Sequence, residues 1–159
     1  MPRRHEPFSL GAMLTTDSAK YAVRAIANMA AREDLSRPVS AAEIADNEDL
    51  PQYYLAKVMQ DLVRARVLKS TRGRGGGFIL AGDPDKTSVM TVLNAVEDMS
   101  RFEHDCVLGL NSCNDDAACP AHDMWKPVRI ALVKTLREMT VADLATEMNR
   151  KKAAHALGH

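Results

Sequence analysis

The sequence is poor in aromatic residues, lacks a long apolar run and carries no net charge, and each shortage removes a class of protein. Aromatics make up 4% of the chain, which weighs against a β-sandwich, while the plentiful Met, Ala, Leu and Val point to a mainly α fold. No stretch reaches the roughly 20 apolar residues of a membrane span. The opening Met1-Pro2-Arg3-Arg4-His5-Glu6 is not followed by the apolar region of a secretory signal. A cytoplasmic protein without a membrane partner is expected. Its cysteines are few and odd in number, Cys106, Cys113 and Cys119, so in a reducing compartment they point to metal or redox chemistry rather than structural disulfides.

What is present is a hydrophobic content of 46% in 159 residues, ample for one compact domain with an appendage. Charge is zero in total but not in distribution. Arg64, Arg66, Lys69, Arg72 and Arg74 follow one another with no acid between them, whereas Glu97, Asp98, Glu103, Asp105, Asp115, Asp116 and Asp123 face only Arg101. The two segments have different tasks.

Apolar residues Ala22, Val23, Ile26, Met29 and Ala30 recur with the helical period and predict an amphipathic helix over about 17–32. Ser40-Ala41-Ala42-Glu43 reads as a capping box opening a short helix over 41–46, with the serine hydroxyl and the glutamate each satisfying the other's amide. After the polar turn 46–49, Pro51 is placed as the first residue of a longer helix striped with Leu55, Val58, Met59, Leu62 and Val63. Helix, tight turn and longer helix form the helix-turn-helix pattern. The exposed face of the second helix begins with Gln52, Tyr53, Tyr54 and Lys57, candidates for base and phosphate contacts, although either tyrosine could instead pack in the core.

Two short strands, 67–70 and 78–81, flank Thr71-Arg72-Gly73-Arg74-Gly75-Gly76-Gly77 and make a hairpin wing. Arg72 and Arg74 suit phosphates, and Gly75, Gly76 and Gly77 permit close backbone approach and positive φ. A phosphate-binding P-loop is disfavoured, because no Lys-Ser/Thr follows the glycines and no helix starts there. A further helix is predicted over 91–99.

Cys106, Cys113, Cys119 and His122 are spaced C-x6-C-x5-C-x2-H. Three thiolates and an imidazole can hold zinc or a small iron-sulfur cluster. Gaps of six and five residues exceed those of zinc knuckles and favour a larger object such as a 2Fe-2S cluster. His104, Asp105 and a partner subunit's acid such as Asp17 compete with His122 for the fourth position, and Asp115 and Asp116 read as solvated surface. Trp125, Val128, Leu132, Leu136 and Met139 then form one stripe on a long helix that either starts near Lys126 or is kinked at Pro127. A lone striped helix after a compact domain points to pairing with its twin, which would set two recognition helices roughly 34 Å apart on a palindromic operator. The chain thus divides into a flexible extension over 1–12, a winged helix-turn-helix domain over 13–99, a cysteine-bearing loop over 100–122, a dimerisation helix with a short terminal helix over 123–148, and a flexible tail over 149–159.

Leu14-Thr15 with Lys20-Tyr21-Ala22-Val23, the wing 72–78, and the cysteine trio with Cys119-Pro120-Ala121-His122 together closely resemble the Rrf family of bacterial transcription regulators, in its IscR/NsrR-like branches. The resemblance runs over about 13–147 and implies a winged-helix dimer with a long crossed helix. It implies a cluster on Cys106, Cys113 and Cys119, completed by His122 as in the IscR-like members. The position of an aspartate ligand in NsrR-like members is taken here by Lys20, and that of a switch glutamate in the recognition helix by Ala56. The expected function is a dimeric DNA-binding regulator, usually a repressor, whose iron-sulfur cluster senses redox state, iron or nitric oxide. It would have no catalytic residues and no small-molecule substrate. The alternative is a cluster-free thiol- or zinc-dependent regulator of the same fold.

Overall fold

The computed structural model describes residues 16–110 and 112–157; the extension over 1–12 and the motif residues Leu14 and Thr15 lie outside them. Helix α1 (Asp17–Ala30) starts where the Thr16 hydroxyl accepts from the Ala19 amide at 3.2 Å, and Asp17 in its first turn meets the positive end of the helix dipole. Its inner face is small: Ala19, Ala22 and Ala25 are fully buried beside Ile26 and Met29. Helix α2 (Ala41–Glu48) opens on Ser40, whose hydroxyl accepts from the Glu43 amide at 3.1 Å. Only half of the expected capping box is recorded, because the Glu43 carboxylate pairs with Arg32 instead. Asp49 closes α2 in the left-handed conformation and Leu50 is buried behind it.

Helix α3 (Gln52–Arg64) buries Leu55, Val58, Met59 and Leu62. Pro51 is its N-cap rather than its first helical residue, since a ψ of 111° keeps it extended. Strands β1 (Leu68–Thr71) and β2 (Gly77–Leu80) pair antiparallel, Leu68 opposite Leu80 and Thr71 opposite Gly77, within a residue of the expected bounds. The hairpin is anchored by mutual backbone bonds between Val39 and Phe78, at 3.0 and 2.8 Å. A side chain on Gly77 would lie 2.5 Å from the Val39 carbonyl, so that glycine is required by the anchor.

Helix α4 (Val89–Asn94) is shorter than predicted and gives way to turns before Met99. Next come a one-turn helix α5 (Arg101–His104), the long α6 (His122–Glu138) and α7 (Val141–Leu157). Helix α6 begins at His122, ahead of Lys126, and carries Pro127 within it. The expected stripe along it divides. Leu132, Leu136 and Met139 pack on a second core with Ala19, Val89, Met90, Leu93, Met99 and Phe102, whereas Val128 is exposed, as are Met124 and Ile130. The first core joins α1, α2, α3 and β1. Val89 N–H to the Met139 carbonyl and Val141 N–H to the Thr87 carbonyl, at 2.9 and 2.8 Å, tie the α6–α7 junction to the start of α4.

The short terminal helix and flexible tail read from the sequence are one helix reaching Leu157. Thr140 and Asp143 cap it reciprocally: the Thr140 hydroxyl accepts from the Asp143 amide at 3.1 Å, and the carboxylate accepts from the Thr140 amide at 3.0 Å. It lies along α1 and is held at its far end by charge. Glu48, 2% exposed, accepts from Lys152 Nζ at 2.5 Å and from Asn28 Nδ2 at 2.8 Å, with Arg24 Nε at 3.5 Å.

Ser40→Ala should lower unfolding stability by about 1 kcal/mol, the usual worth of a serine N-cap, read in urea melts; an unchanged midpoint would show that the cap contributes nothing. Glu48→Ala strips the acceptor from donors on two other helices and should cost about 2–4 kcal/mol. Hydrogen exchange would then accelerate over residues 149–157 more than over α3, and uniform acceleration would count against a local latch.

Candidate nucleic-acid interface and metal centre

The first turn of α3 follows directly from the left-handed turn at Asp49, and its apolar residues are committed inward, so its remaining side chains face out. Gln52, Tyr53, Tyr54 and Lys57 are all exposed. Tyr53 is 82% and Tyr54 61% exposed, and their rings meet edge to face at 5.6 Å; neither joins the core. At the wing, Arg72 and Arg74 are exposed; positive φ falls at Gly73 and Gly75, 97° and 78°, whereas Gly76 and Gly77, expected to share it, do not. Gly76 serves the hairpin's own closure: its amide donates to the Gly73 carbonyl at 3.0 Å, and an added Cβ would lie 2.4 Å from the Thr71 carbonyl. Among the described residues no ion pair engages Lys57, Arg72 or Arg74, although Arg32, Arg64, Arg101, Arg137 and Lys126 each have one.

The cysteine loop is shaped by its own backbone hydrogen bonds. Asp105 and Ser112 form a bridge, the Cys113 amide donates to the His104 carbonyl at 2.7 Å, and the His122 amide donates to the Cys119 carbonyl at 2.9 Å. The loop folds back on itself, and Cys119 is held one turn before α6. Cys106, Cys113, Cys119 and His122 line one cavity of about 450 Å³ with Ser112, Asn114 and the small side chains of Ala117 and Ala118. All three cysteines are free thiols.

The four donors fall into two pairs. Cys106 Sγ lies 3.3 Å from Cys119 Sγ, and Cys113 Sγ lies 3.4 Å from His122 Nδ1. Among the described residues no three or more His, Cys, Asp or Glu side chains gather tightly enough to hold a single metal ion. His104 and Asp105 do not line the cavity, and Asp17 pairs with Lys20 in its own turn.

Ionisation is uneven within the set. The Leu108 amide, and then the Cys119 thiol, hold the Cys106 thiol below its ordinary range. Cys119 is pushed up, first because it is the partner of Cys106 and then by burial. Cys106 is therefore the first of the pair to become a thiolate, the form that binds metals and attacks electrophiles.

Asp115 is more than the solvated residue expected from the sequence. Its Oδ1 lies 2.8 Å from His122 Nε2, and Lys126 Nζ reaches both of its oxygens at 2.6 and 2.8 Å. Lys126, and then His122, keep its carboxyl below the usual carboxylate range. The available signal was the placement of His122 and Lys126 four residues apart, hence on one helix face, beside an acidic loop.

No helix among the described residues is long and apolar enough to cross a membrane. The Rrf2 model, described as an iron-dependent transcriptional regulator, matches residues 15–147. An HTH-type transcriptional regulator of Aquifex aeolicus is 32% identical over 134 residues, 83% of this chain and 91% of its own length. The HTH-type transcriptional regulator IscR of Sodalis glossinidius is 28% identical over 137 residues, 84% and 79% of the two chains. In fold, the chain is similar to the global cysteine regulator CymR of B. subtilis, with a TM-score of 0.70 at 22% identity over 84% of this chain and 96% of that one. These relatives are regulators rather than enzymes, and the antiparallel hairpin beside the helix-turn-helix is the wing of their shared winged-helix architecture. The chain belongs to the Rrf2 family of transcriptional regulators.

Proposed function

We propose that the protein is a cytoplasmic, dimeric repressor whose binding to a palindromic operator is controlled by a 2Fe-2S cluster on Cys106, Cys113, Cys119 and His122. The observation that carries this reading is the meeting of three thiols and one buried imidazole at a single cavity as two donor pairs. Two pairs suit two iron atoms joined by sulfide, whereas a structural zinc needs one closed quartet. When bound, such a cluster would supply a centre altered by oxidants, nitric oxide or iron shortage.

The residues around it account for transmission. The loop lies between α5 and α6, and Arg129 of α6, 9% exposed, donates to the Glu103 carbonyl of α5 at 2.6 Å. Both helices pack on the second core, which α1 shares. A change in the loop can therefore shift α6 against the DNA head, provided that the cluster binds the two arrangements with different affinity. The dimer is assigned to α6, where Met124, Val128 and Ile130 stay exposed, as do Leu108 and Leu110 of the loop.

On DNA, Gln52, Tyr53, Tyr54 and Lys57 would enter the major groove from the start of α3, and Arg72 and Arg74 would hold phosphates alongside. Gly75, open on the side where a Cβ would sit, lets the wing tip approach the backbone. Removal of either arginine should weaken every sequence alike and reduce the slope of log K against log salt by about 1 for each protomer, about 2 for the dimer. Gln52→Ala should instead relax the choice at one base pair by about 1–3 kcal/mol. Fluorescence anisotropy across a salt series separates the two, and an unchanged slope in Arg72→Ala removes the wing from the interface.

A second reading draws on the Cys106–Cys119 approach at 3.3 Å, close enough for a modest shift to bring the sulfurs to disulfide distance. There, a peroxide would oxidise the pair reversibly and no iron would be needed. Protein purified without oxygen decides between them. Visible charge-transfer absorption with matched iron and acid-labile sulfide, lost on alanine substitution at Cys106, Cys113 or Cys119, supports the cluster. A colourless protein whose operator affinity responds to peroxide through Cys106 supports the thiol pair.

A further inference from the structure

An imidazole normally binds a metal through one nitrogen, and the choice follows from the hydrogen bond made by the other. His122 is 5% exposed, so both of its ring nitrogens depend on protein partners. Nε2 lies 2.8 Å from Asp115 Oδ1, and Nδ1 lies 3.4 Å from Cys113 Sγ. An ionised carboxylate can only accept, so Nε2 carries the hydrogen, and in the neutral ring Nδ1 keeps the lone pair. That nitrogen is the one beside Cys113, and both residues line the cavity shared with Cys106 and Cys119.

The place of Asp115 is fixed from two sides. Asn114 Oδ1 accepts from the Ala117 amide at 2.8 Å and Asn114 Nδ2 donates to Ser112 Oγ at 3.0 Å, which turns the loop at Asp115. Lys126, one turn beyond His122 on α6, holds both carboxylate oxygens. The side chain is 72% exposed, so water keeps it ionised while Lys126 sets its position. The carboxylate bridges the histidine and the lysine on one face of the helix.

We propose that Asp115, tethered by Lys126, is the positioning residue of the metal centre: it holds the Nε2 hydrogen of His122 and thereby presents Nδ1, beside Cys113, as the nitrogen ligand. The inference rests on the cluster reading above and adds to it which atom binds and what aims it. A carboxylate behind a ligating histidine fixes the ring's tautomer and orientation and raises its basicity.

Two measurements test it. In metal-free full-length protein with nitrogen-15 histidine, long-range proton–nitrogen spectra at about pH 8.5, above the ordinary imidazole range, should show His122 with its hydrogen on Nε2. Asp115→Leu should leave a mixture, and Asp115→Glu should restore the single tautomer. In protein loaded with iron and sulfide without oxygen and then reduced, histidine labelled at Nδ1 alone should give the strong nitrogen hyperfine coupling. Iron retention against a chelator should fall about 10- to 100-fold in Asp115→Leu, less in Lys126→Met, and recover in Asp115→Glu. An Nδ1–H tautomer in the wild type, a strong coupling on Nε2, or full retention in Asp115→Leu would overturn the role of Asp115 with the cluster intact. Protein that takes up no iron overturns the cluster reading itself, and the tautomer, measured on metal-free protein, is decided separately.

Discussion

Helix α1 turns alanines inward where larger side chains would hold its neighbours away. Ala19, Ala22 and Ala25 are fully buried, and α2, α3, α4 and α7 all pack against this helix. An alanine buries little area of its own, so this face stabilises by proximity: it lets Ile26 and Met29 meet Leu55, Met59 and Leu62 on one side. On the other side Ala19 joins Val89, Leu93 and Phe102. The helix is the wall between two cores, and neither the DNA head nor the cysteine end has a core independent of it.

That shared wall gives the loop and the terminal helix separate packing routes to α3, the recognition helix of the proposed reading. From the cysteines the route runs through α5 and α6 into the second core, across α1 and into the residues behind α3. From the terminal helix it runs through Lys152 to Glu48, the last residue of α2, four positions before the recognition helix begins. Close-packed interiors have few intermediate arrangements, so a loop that changes shape either leaves α6 where it is or moves it as a body. The buried Arg129, bonded to the Glu103 carbonyl, favours the second, because that contact joins the helices on either side of the loop.

Local chemistry was legible in the sequence and distant polar contacts were not. Ser40 announced the start of α2, and the arginine–glycine run announced the wing to within a residue, because caps and tight turns are settled by neighbours along the chain. The cysteine spacing brought together the four residues that now share a cavity. The stripe on α6 misled: periodicity says that a face is apolar, not whether its own chain covers it, and here Leu132 and Leu136 are covered while Val128 is not. The helix over 149–157 had no apolar stripe to reveal it, being latched by a lysine to a carboxylate 104 residues away. Asp115 escaped for the same reason, since an exposed acid in an acidic loop gains meaning only once His122 and Lys126 stand beside it.

A chain with no net charge attracts DNA only through the cations it leaves unpaired, and only locally, since salt screens exposed charges beyond about 8–10 Å. Pairing consumes the cations that hold the body together, Arg24 and Lys152 on Glu48 and Arg137 on Glu103. Among the described residues, Lys57 of α3 and Arg72 and Arg74 of the wing remain without an ion pair, while Arg64 at the far end of α3 is paired with Asp61. The cysteine end carries the acids Asp115, Asp116 and Asp123 and spends Lys126 on the first of them. On the proposed reading this division orients the molecule before any base is read: phosphates draw in the wing and repel the metal centre, which stays on the solvent side. Oxidant or nitric oxide can then reach the centre while the operator is bound, and a regulator that must leave DNA on receiving its signal requires that access.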